Sequence, residues 1–303
     1  MPTAHVNGID IEYMTSGDPA DPALLLVMGL GAQLITWPDM FVQRLTAHGF
    51  FTILFDNRDA GLSTKFEGTP DFMALFSGDP SSAPYLVDDM AEDTLGLLDA
   101  LGLERVHVVG VSMGGMITQA LVINHPSRFL TACSIMSTTG DVTVGAPTGE
   151  AVSAMLRPAA KNREEAVAAS LASSKVISSP GFPFDVELMT RRAAAAYDRS
   201  YCPEGTARQL GAILASPDRT EGLRHVKTPF LVIHGEEDPL VTVSGGKATA
   251  AAVPGAKLIL IPGMGHDLPE ATWDQIIDAI VATTELAPVR VWRAAEQGRG
   301  ATA

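Results

Sequence analysis

The stretch VHVVGVSMGG, residues 106–115, decides the fold of this chain. It begins with a short continuous apolar run of the kind found in strands buried on both faces, and the helical pattern Met113–Asn124 follows directly. Between them, Gly110 and Gly114 flank Ser112 in the pattern GxSxG. So sharp a turn from strand to helix strains its central residue and requires neighbours without a Cβ atom. The pattern therefore predicts that Ser112 stands above the carboxyl edge of a parallel sheet, at a helix N-terminus.

Similar apolar runs recur on both sides of this stretch and alternate with helical patterns. An antiparallel hairpin is predicted around Asn7-Gly8. The other predicted strands are 23–27, 51–55, 130–136, 230–233 and 258–261, and the other predicted helices are 33–48, 85–101 and 273–284. This alternation is typical of a mostly parallel, doubly wound α/β sheet.

The alternation stops between residues 138 and 222, where we find helical runs and no convincing strand: 150–160, 164–174, 185–199 and 203–214. Charge changes there as well, because residues 141–222 hold 9 basic and 10 acidic residues while residues 1–140 hold 5 and 16. We therefore predict a helical cap, residues 138–222, inserted into an α/β core formed by residues 1–137 and 223–286.

Composition limits the classes of protein to which the chain can belong. Its 303 residues, 46% of them hydrophobic, suffice for a large packed core. Cys133 and Cys202, the two cysteines, lie in no CxxC or Cys/His pattern, so neither a disulfide framework nor a metal site is predicted. Residues 287–303 lack clear periodicity, and we expect them to form a flexible tail.

Charge and hydropathy also limit the partners and the location. The net charge of −14 disfavours nucleic acid and anionic lipid surfaces as partners. The N-terminus lacks the basic start and apolar run of a signal peptide, and no apolar stretch approaches the ~20 residues that a membrane helix needs. We expect a cytoplasmic protein without a membrane span. The sequence leaves its oligomeric state open, a homo-oligomer included.

A serine hydroxyl needs an adjacent base, and the base needs an orienting acid. Asp238 in HGEEDPL and His266 in PGMGHDLP each follow a predicted strand, so both should emerge at the same sheet edge as Ser112. We predict that these three residues form a catalytic triad, in the chain order Ser, Asp, His. Other residues compete less well for the two roles: His234 for the base, and Glu236 and Glu237 for the acid. Asp267, beside His266, is expected to be solvated.

Acyl transfer also needs N–H donors for the oxyanion. The amide after Ser112 belongs to Met113, and Leu30 in MGLG follows another strand end, so these two amides are predicted to form the oxyanion hole. In DNRDAGLS, residues 56–63, Asp56 and Arg58 are expected to hold the loop by charge-assisted hydrogen bonds. The substrate should lie between sheet edge and cap, at side chains that could equally belong to the core: Trp37, Met136, Met155 and Leu240.

Five motifs in this order resemble the α/β-hydrolase superfamily: MGLG, DNRDAGLS, GVSMGG, HGEEDPL and PGMGHDLP. More narrowly, the chain is similar to the aclacinomycin methylesterases and to the actinobacterial lipase/esterases of the LipG type. The resemblance implies the same triad and the same oxyanion donors, with no cofactor and no metal. Met28 departs from the pattern, because many relatives carry there a histidine that braces the loop. The cap residues also differ, so polyketide specificity does not carry over.

The function predicted from these residues is that of a serine carboxylesterase acting on a small-molecule ester through an acyl-enzyme. Two alternatives remain open. The same triad serves perhydrolases and hydrolases of carbon–carbon bonds, and the same fold can serve as a ligand receptor that turns over slowly or not at all.

Overall fold

One sheet of eight strands runs through the protein. The computed structural model describes residues 1–155 and 159–287. The strand order is β1-β2-β4-β3-β5-β6-β7-β8. The strands are β1 (Thr3–Val6), β2 (Ile9–Ser16), β3 (Ala23–Val27), β4 (Phe51–Phe55), β5 (Val106–Val111), β6 (Phe129–Ile135), β7 (Phe230–Gly235) and β8 (Lys257–Ile261).

Strand direction follows from how the strands are connected. Asn7 and Gly8 have φ of 51° and 79°, as a two-residue hairpin turn requires, so β1 and β2 are antiparallel. β2 pairs with β4 in the same sense, and every later pairing, from β4 through β3 to β8, is parallel. β3, β5, β6 and β7 are buried along their whole length, which explains their continuous apolar sequences.

Helices cover both faces of this sheet. On one face, α3, α4 and α10 contribute to a single apolar cluster, and on the other face α1 and α11 contribute to a second one. The mostly parallel, doubly wound sheet predicted from the sequence is thus confirmed. The helices are α1 (Asp39–Ala47), α2 (Phe72–Phe76), α3 (Val87–Ala100), α4 (Met113–Asn124), α5 (Gly149–Met155), α6 (Arg163–Ile177), α7 (Val186–Arg199), α8 (Pro203–Ala215), α9 (Thr220–Leu223), α10 (Val243–Ala252) and α11 (Trp273–Thr284).

The helical insert predicted from the sequence is also present, since α5 to α9 lie between β6 and β7. We call the segment that carries these five helices the cap. Its exact limits, residues 138–222, stay a prediction. The predicted tail, residues 287–303, lies outside the described residues except for Ala287.

One predicted helix was wrong in part. Residues 33–48 were expected to form a single helix, whereas the structure has a 3-10 turn, Leu34–Thr36, and then α1. Pro38 explains the break, because a residue before proline avoids the helical conformation and Trp37 accordingly has an extended ψ of 125°.

Candidate active site

Ser112 occupies a strained turn between β5 and α4. Its φ of 55° lies in the left-handed region, which residues other than glycine rarely adopt. The flanking glycines make the turn possible: a Cβ on Gly110 would lie 2.0 Å from the Gly114 carbonyl oxygen, and one on Gly114 would lie 2.1 Å from the Val27 carbonyl oxygen. The sequence GxSxG therefore brings α4 against the end of β3 and presents the Ser112 hydroxyl at the carboxyl edge of the sheet.

Two other strand ends bring polar side chains to the same place. His266 Nε2 lies 2.9 Å from Ser112 Oγ, and His266 Nδ1 lies 2.7 Å from Asp238 Oδ2. Asp238 follows β7, His266 follows β8, and both are buried. The structure thus brings together all three residues of the predicted triad in one hydrogen-bonded chain. Such a chain can carry a proton from the serine to the imidazole.

Asp238 is held in its ionised form. Burial alone raises its pKa, but the charge of His266 and hydrogen bonds from His234, His266 and the Val241 amide outweigh burial and lower the pKa to about 2. Its Oδ1 accepts the Leu240 and Val241 amides at 2.8 and 2.9 Å, which leaves Oδ2 for His266. The carboxylate therefore favours the imidazole tautomer in which Nδ1 carries the proton and Nε2 is free to accept one.

His234, the competing candidate for the base, has a different position. Its Nε2 lies 2.7 Å from the Val241 carbonyl oxygen and 3.5 Å from Asp238 Oδ2. Because a carbonyl oxygen can only accept, Nε2 of His234 must carry a proton. His234 thus donates beside Asp238, and it is His266 that lies within hydrogen-bond distance of Ser112.

The turn after β3, residues 28–32, passes close to Ser112. We call this segment the β3 loop. A Cβ on Gly29 would lie 3.1 Å from Ser112 Cβ, so the backbone at Gly29 touches the serine. Among the described residues, neither the Leu30 amide nor the Met113 amide has a protein hydrogen-bond acceptor. Both predicted oxyanion donors are therefore available to a ligand, and the loop that carries Leu30 packs directly on the serine.

The loop after β4, residues 56–63, supports the β3 loop from the core. We call it the β4 loop. Asn57 Nδ2 donates to the Met28 carbonyl oxygen at 3.0 Å, and Asp56 Oδ1 accepts the Leu34 amide at 2.7 Å. Arg58 pairs with the buried Asp93. Asp56 and Arg58 thus have the structural contacts expected of them. Asn57, which sequence reasoning missed, braces the β3 loop at Met28.

The cap holds the loop that carries His266. The His266 amide donates to the Ile177 carbonyl oxygen at 2.7 Å, and the Gly265 amide donates to Ser179 Oγ at 2.8 Å. Asp267 accepts hydrogen bonds from the amide and hydroxyl of Ser179. Asp267, which was expected to be solvated, is half-buried, and burial raises its pKa against the opposing hydrogen bonds from Ser179. These contacts were missed because they depend on how the end of α6 packs.

The predicted substrate-contacting residues occupy different environments. Trp37 is 2% exposed and stacks on Phe41 at 5.8 Å between ring centres, so it packs in the core. Met136 is buried directly after β6, whereas Met155 and Leu240 are half-buried. Contact of these four side chains with a substrate stays a prediction.

Two other features are absent from the part of the chain that the structure describes. In residues 1–155 and 159–287, no group of three or more His, Cys, Asp or Glu residues is arranged to hold a metal ion. Within the same ranges, no helix combines the length and the apolar character needed to cross a bilayer.

Comparison with known proteins decides the family. Residues 22–270 match the family described as alpha/beta hydrolase fold. The chain belongs to this family. Our α/β hydrolase is 30% identical to rhodomycin D methylesterase DnrP of Streptomyces peucetius, over 95% of this chain and 100% of the relative. It is 27% identical to 3-oxoadipate enol-lactonase 2 of Acinetobacter baylyi, over 81% of this chain and 82% of the relative.

A solved structure shares the same fold. The enol-lactonase from Burkholderia xenovorans superposes with a TM-score of 0.72 at 23% identity, covering 94% of this chain and 100% of that chain. The resemblance to α/β hydrolases inferred from the motifs is therefore confirmed, and esterases and lactonases are among the relatives.

Proposed function

We propose that this α/β hydrolase is a serine carboxylesterase that cleaves a small-molecule ester through an acyl-enzyme. The observation that carries the proposal is the hydrogen-bonded chain from Ser112 Oγ through both nitrogens of His266 to Asp238 Oδ2. The backbone amides of Leu240 and Val241 donate to Oδ1 of Asp238, so Oδ2 is the oxygen that accepts from His266. With Asp238 ionised, Nδ1 of His266 must carry a proton, and Nε2 of the neutral imidazole can then accept the proton of Ser112.

The reaction follows from that direction. His266 Nε2 takes the hydroxyl proton while Ser112 Oγ attacks the ester carbonyl carbon, and Asp238 stabilises the imidazolium that forms. The amides of Leu30 and Met113 bind the oxyanion. The intermediate then collapses: the ester C–O bond breaks, His266 gives its proton to the departing alkoxide, and an alcohol leaves. Water repeats the sequence on the acyl-enzyme and releases the carboxylic acid. No cofactor or metal takes part.

The relatives support an ester as the substrate. A methylesterase aligns over almost the whole of this chain, and an enol-lactonase, named for a cyclic ester, aligns over four-fifths of it. The alcohol and acyl groups of the relatives' substrates are not carried over to this chain. Within the proposal, the side chains that contact substrate are those predicted from the sequence: Trp37, Met136, Met155 and Leu240.

A panel of p-nitrophenyl esters, from acetate to palmitate, together with simple methyl esters, tests the proposal. We expect many product molecules per chain for at least one ester and a loss of about 10³-fold or more in Ser112→Ala. Ser153→Ala removes a hydroxyl that donates to the Gly149 carbonyl oxygen within α5, so it is the matched control and should keep full activity.

The same panel separates the alternatives. A ligand receptor would turn over slowly or not at all, so many product molecules per chain would argue against it. A perhydrolase or a carbon–carbon bond hydrolase, assayed beside the panel, would show a higher kcat/KM for peracid formation or for cleavage of a vinylogous diketone than for ester hydrolysis, with the same loss in Ser112→Ala.

A further inference from the structure

One cap side chain, Gln209 of α8, joins two loops of the active site. Its Oε1 accepts the Gly31 amide at 2.7 Å, and its Nε2 donates to the Arg58 carbonyl oxygen at 2.7 Å. The residue is fully buried, so water does not compete for either contact. Gln209 therefore connects the β3 loop, which carries Leu30, to the β4 loop.

The Gly31 amide belongs to a tight turn of the β3 loop. The Ala32 amide donates to the Gly29 carbonyl oxygen, so Leu30 and Gly31 are the two central residues of a β-turn. The peptide between them carries the Leu30 carbonyl and the Gly31 N–H, and it directly follows the residue whose N–H is the predicted oxyanion donor. Gly31 has a φ of 66°, a conformation that glycine adopts without steric cost. The hydrogen bond from the Gly31 amide to Gln209 therefore holds the turn immediately after Leu30.

α8 does not depend on Gln209 for its position. The neighbouring Arg208 forms two hydrogen bonds to the buried Asp59, at 2.8 and 2.9 Å, and a Cβ on Gly31 would lie 2.8 Å from Thr206 Oγ1. α8 is thus anchored by an ion pair and by direct packing. Removal of the Gln209 amide should release the turn while the cap stays in place over the site.

We propose that Gln209 is a positioning residue for catalysis, through which the cap holds the Leu30 amide where the oxyanion forms. The inference rests on the proposed esterase function. It extends that function, because it gives a cap side chain a part in transition-state stabilisation. Binding of the uncharged ester makes little use of an oxyanion donor, whereas the tetrahedral intermediate depends on it. The rate constant kcat should therefore change and KM should not.

The test compares Gln209→Met, which keeps the length of the side chain but removes donor and acceptor, with Gln119→Met. Gln119 is an equally buried helical glutamine whose Oε1 accepts from Arg219, so it is the matched control. For Gln209→Met we expect kcat on p-nitrophenyl acetate to fall about 10- to 100-fold, the range for a misplaced catalytic group, with KM within about twofold. Gln119→Met should keep kcat within about twofold of wild type.

Two further measurements separate positioning from a general loss of structure. A trifluoromethyl ketone is attacked by the serine and forms a stable oxyanion, so its inhibition constant should rise by the same factor as kcat falls. Gln209→Glu keeps an oxygen facing the Gly31 amide, and its buried carboxyl can direct a proton to the Arg58 carbonyl oxygen. We expect it to recover at least about tenfold of the lost rate. If Gln209→Met does not fold, Gln209→Asn, too short to reach both loops, replaces it with the same expected result.

Wild-type kcat and inhibitor affinity in Gln209→Met would overturn the inference. So would a rise in KM at unchanged kcat. Failure of the esterase proposal itself looks different, because wild type and Ser112→Ala would then hydrolyse esters equally.

Discussion

Replacing Asp238 by asparagine tests the direction of the hydrogen-bonded chain. The oxygen of the new side chain must stay where Oδ1 is, because the Leu240 and Val241 amides point at that position and an NH₂ group there would face two donors. The asparagine NH₂ group then faces His266 Nδ1 and donates to it. This forces the imidazole proton onto Nε2, which can no longer take the proton of Ser112.

The size of the loss follows from the tautomer. We expect kcat to fall about 10³- to 10⁴-fold, as when a triad carboxylate is replaced by an amide, and this corresponds to roughly 4 to 5.5 kcal/mol of activation free energy. Part of the loss is electrostatic, since the low pKa of Asp238, about 2, records how strongly its surroundings favour the negative charge. The fold should survive, because the asparagine oxygen keeps both hydrogen bonds from the backbone amides.

The assay is kcat on p-nitrophenyl acetate at neutral pH, with the melting temperature measured alongside. Asp267→Asn is the matched control: it makes the same change next to His266, but the Asp267 side chain bonds to Ser179 rather than to the imidazole. We expect the control to lose less than about tenfold, the effect of a group outside the proton path. A folded Asp238→Asn that keeps more than a tenth of the wild-type kcat would refute the reasoning.

Two other predictions concern stability. Burial, with a smaller effect of Arg105, lowers the pKa of His107 to about 4 from 6.5; the unfolded chain therefore binds the proton first, and the free energy of unfolding should fall by roughly 3 kcal/mol as pH drops from 6.5 to 4. Urea titrations from pH 6.5 to pH 4 should show a smaller decrease in the free energy of unfolding for His107→Gln than for wild type. His225→Gln, which changes an exposed histidine, is the control and should show the wild-type decrease. Equal pH profiles for the two variants would contradict the assignment. Gly114→Ala places a Cβ against the Val27 carbonyl oxygen, so it should lower the free energy of unfolding by at least about 1–3 kcal/mol and abolish ester hydrolysis. Gly149→Ala is the control: its Cβ would contact nothing, so it should melt at or above the wild-type temperature. A Gly114→Ala variant with unchanged stability and activity would show that the turn can move.

The sheet was predictable because its central strands are buried on both faces, so that β3 and β4 appear as continuous apolar runs with matching limits. α10 was predicted only in part: a helix was expected to begin at Asp238-Pro239-Leu240, whereas α10 begins at Val243. Its sequence VSGGKATAAA has a poor helical pattern, but a Cβ on Gly246 would lie 2.3 Å from His234 Nδ1, so the glycine is needed for the approach of α10 to β7. Gly246 lowers the helix propensity of α10 but allows the helix to contact the sheet.

In the active site too, residues in local motifs were predictable and contacts that depend on tertiary packing were not. Ser112, Asp238 and His266 each lie within five residues of a strand end, so local motifs were enough to place them at one edge. Gln209 reaches Gly31 across 178 residues of chain, and that contact depends on how the cap packs on the core. The cap stretch that contains Gln209, YDRSYCPEGTARQLGAIL, carries no local pattern that indicates a hydrogen bond to the β3 loop.

Labelling of the protein with a fluorophosphonate tests the central claim, a nucleophilic Ser112, most directly. The reagent phosphonylates an activated serine with loss of fluoride, and the adduct can be located by peptide mass spectrometry. We predict one phosphonyl group per chain, on Ser112, with ester hydrolysis falling in proportion to the labelled fraction and no adduct in His266→Ala. An adduct on another residue, or full hydrolysis by protein whose Ser112 is completely labelled, would contradict the account.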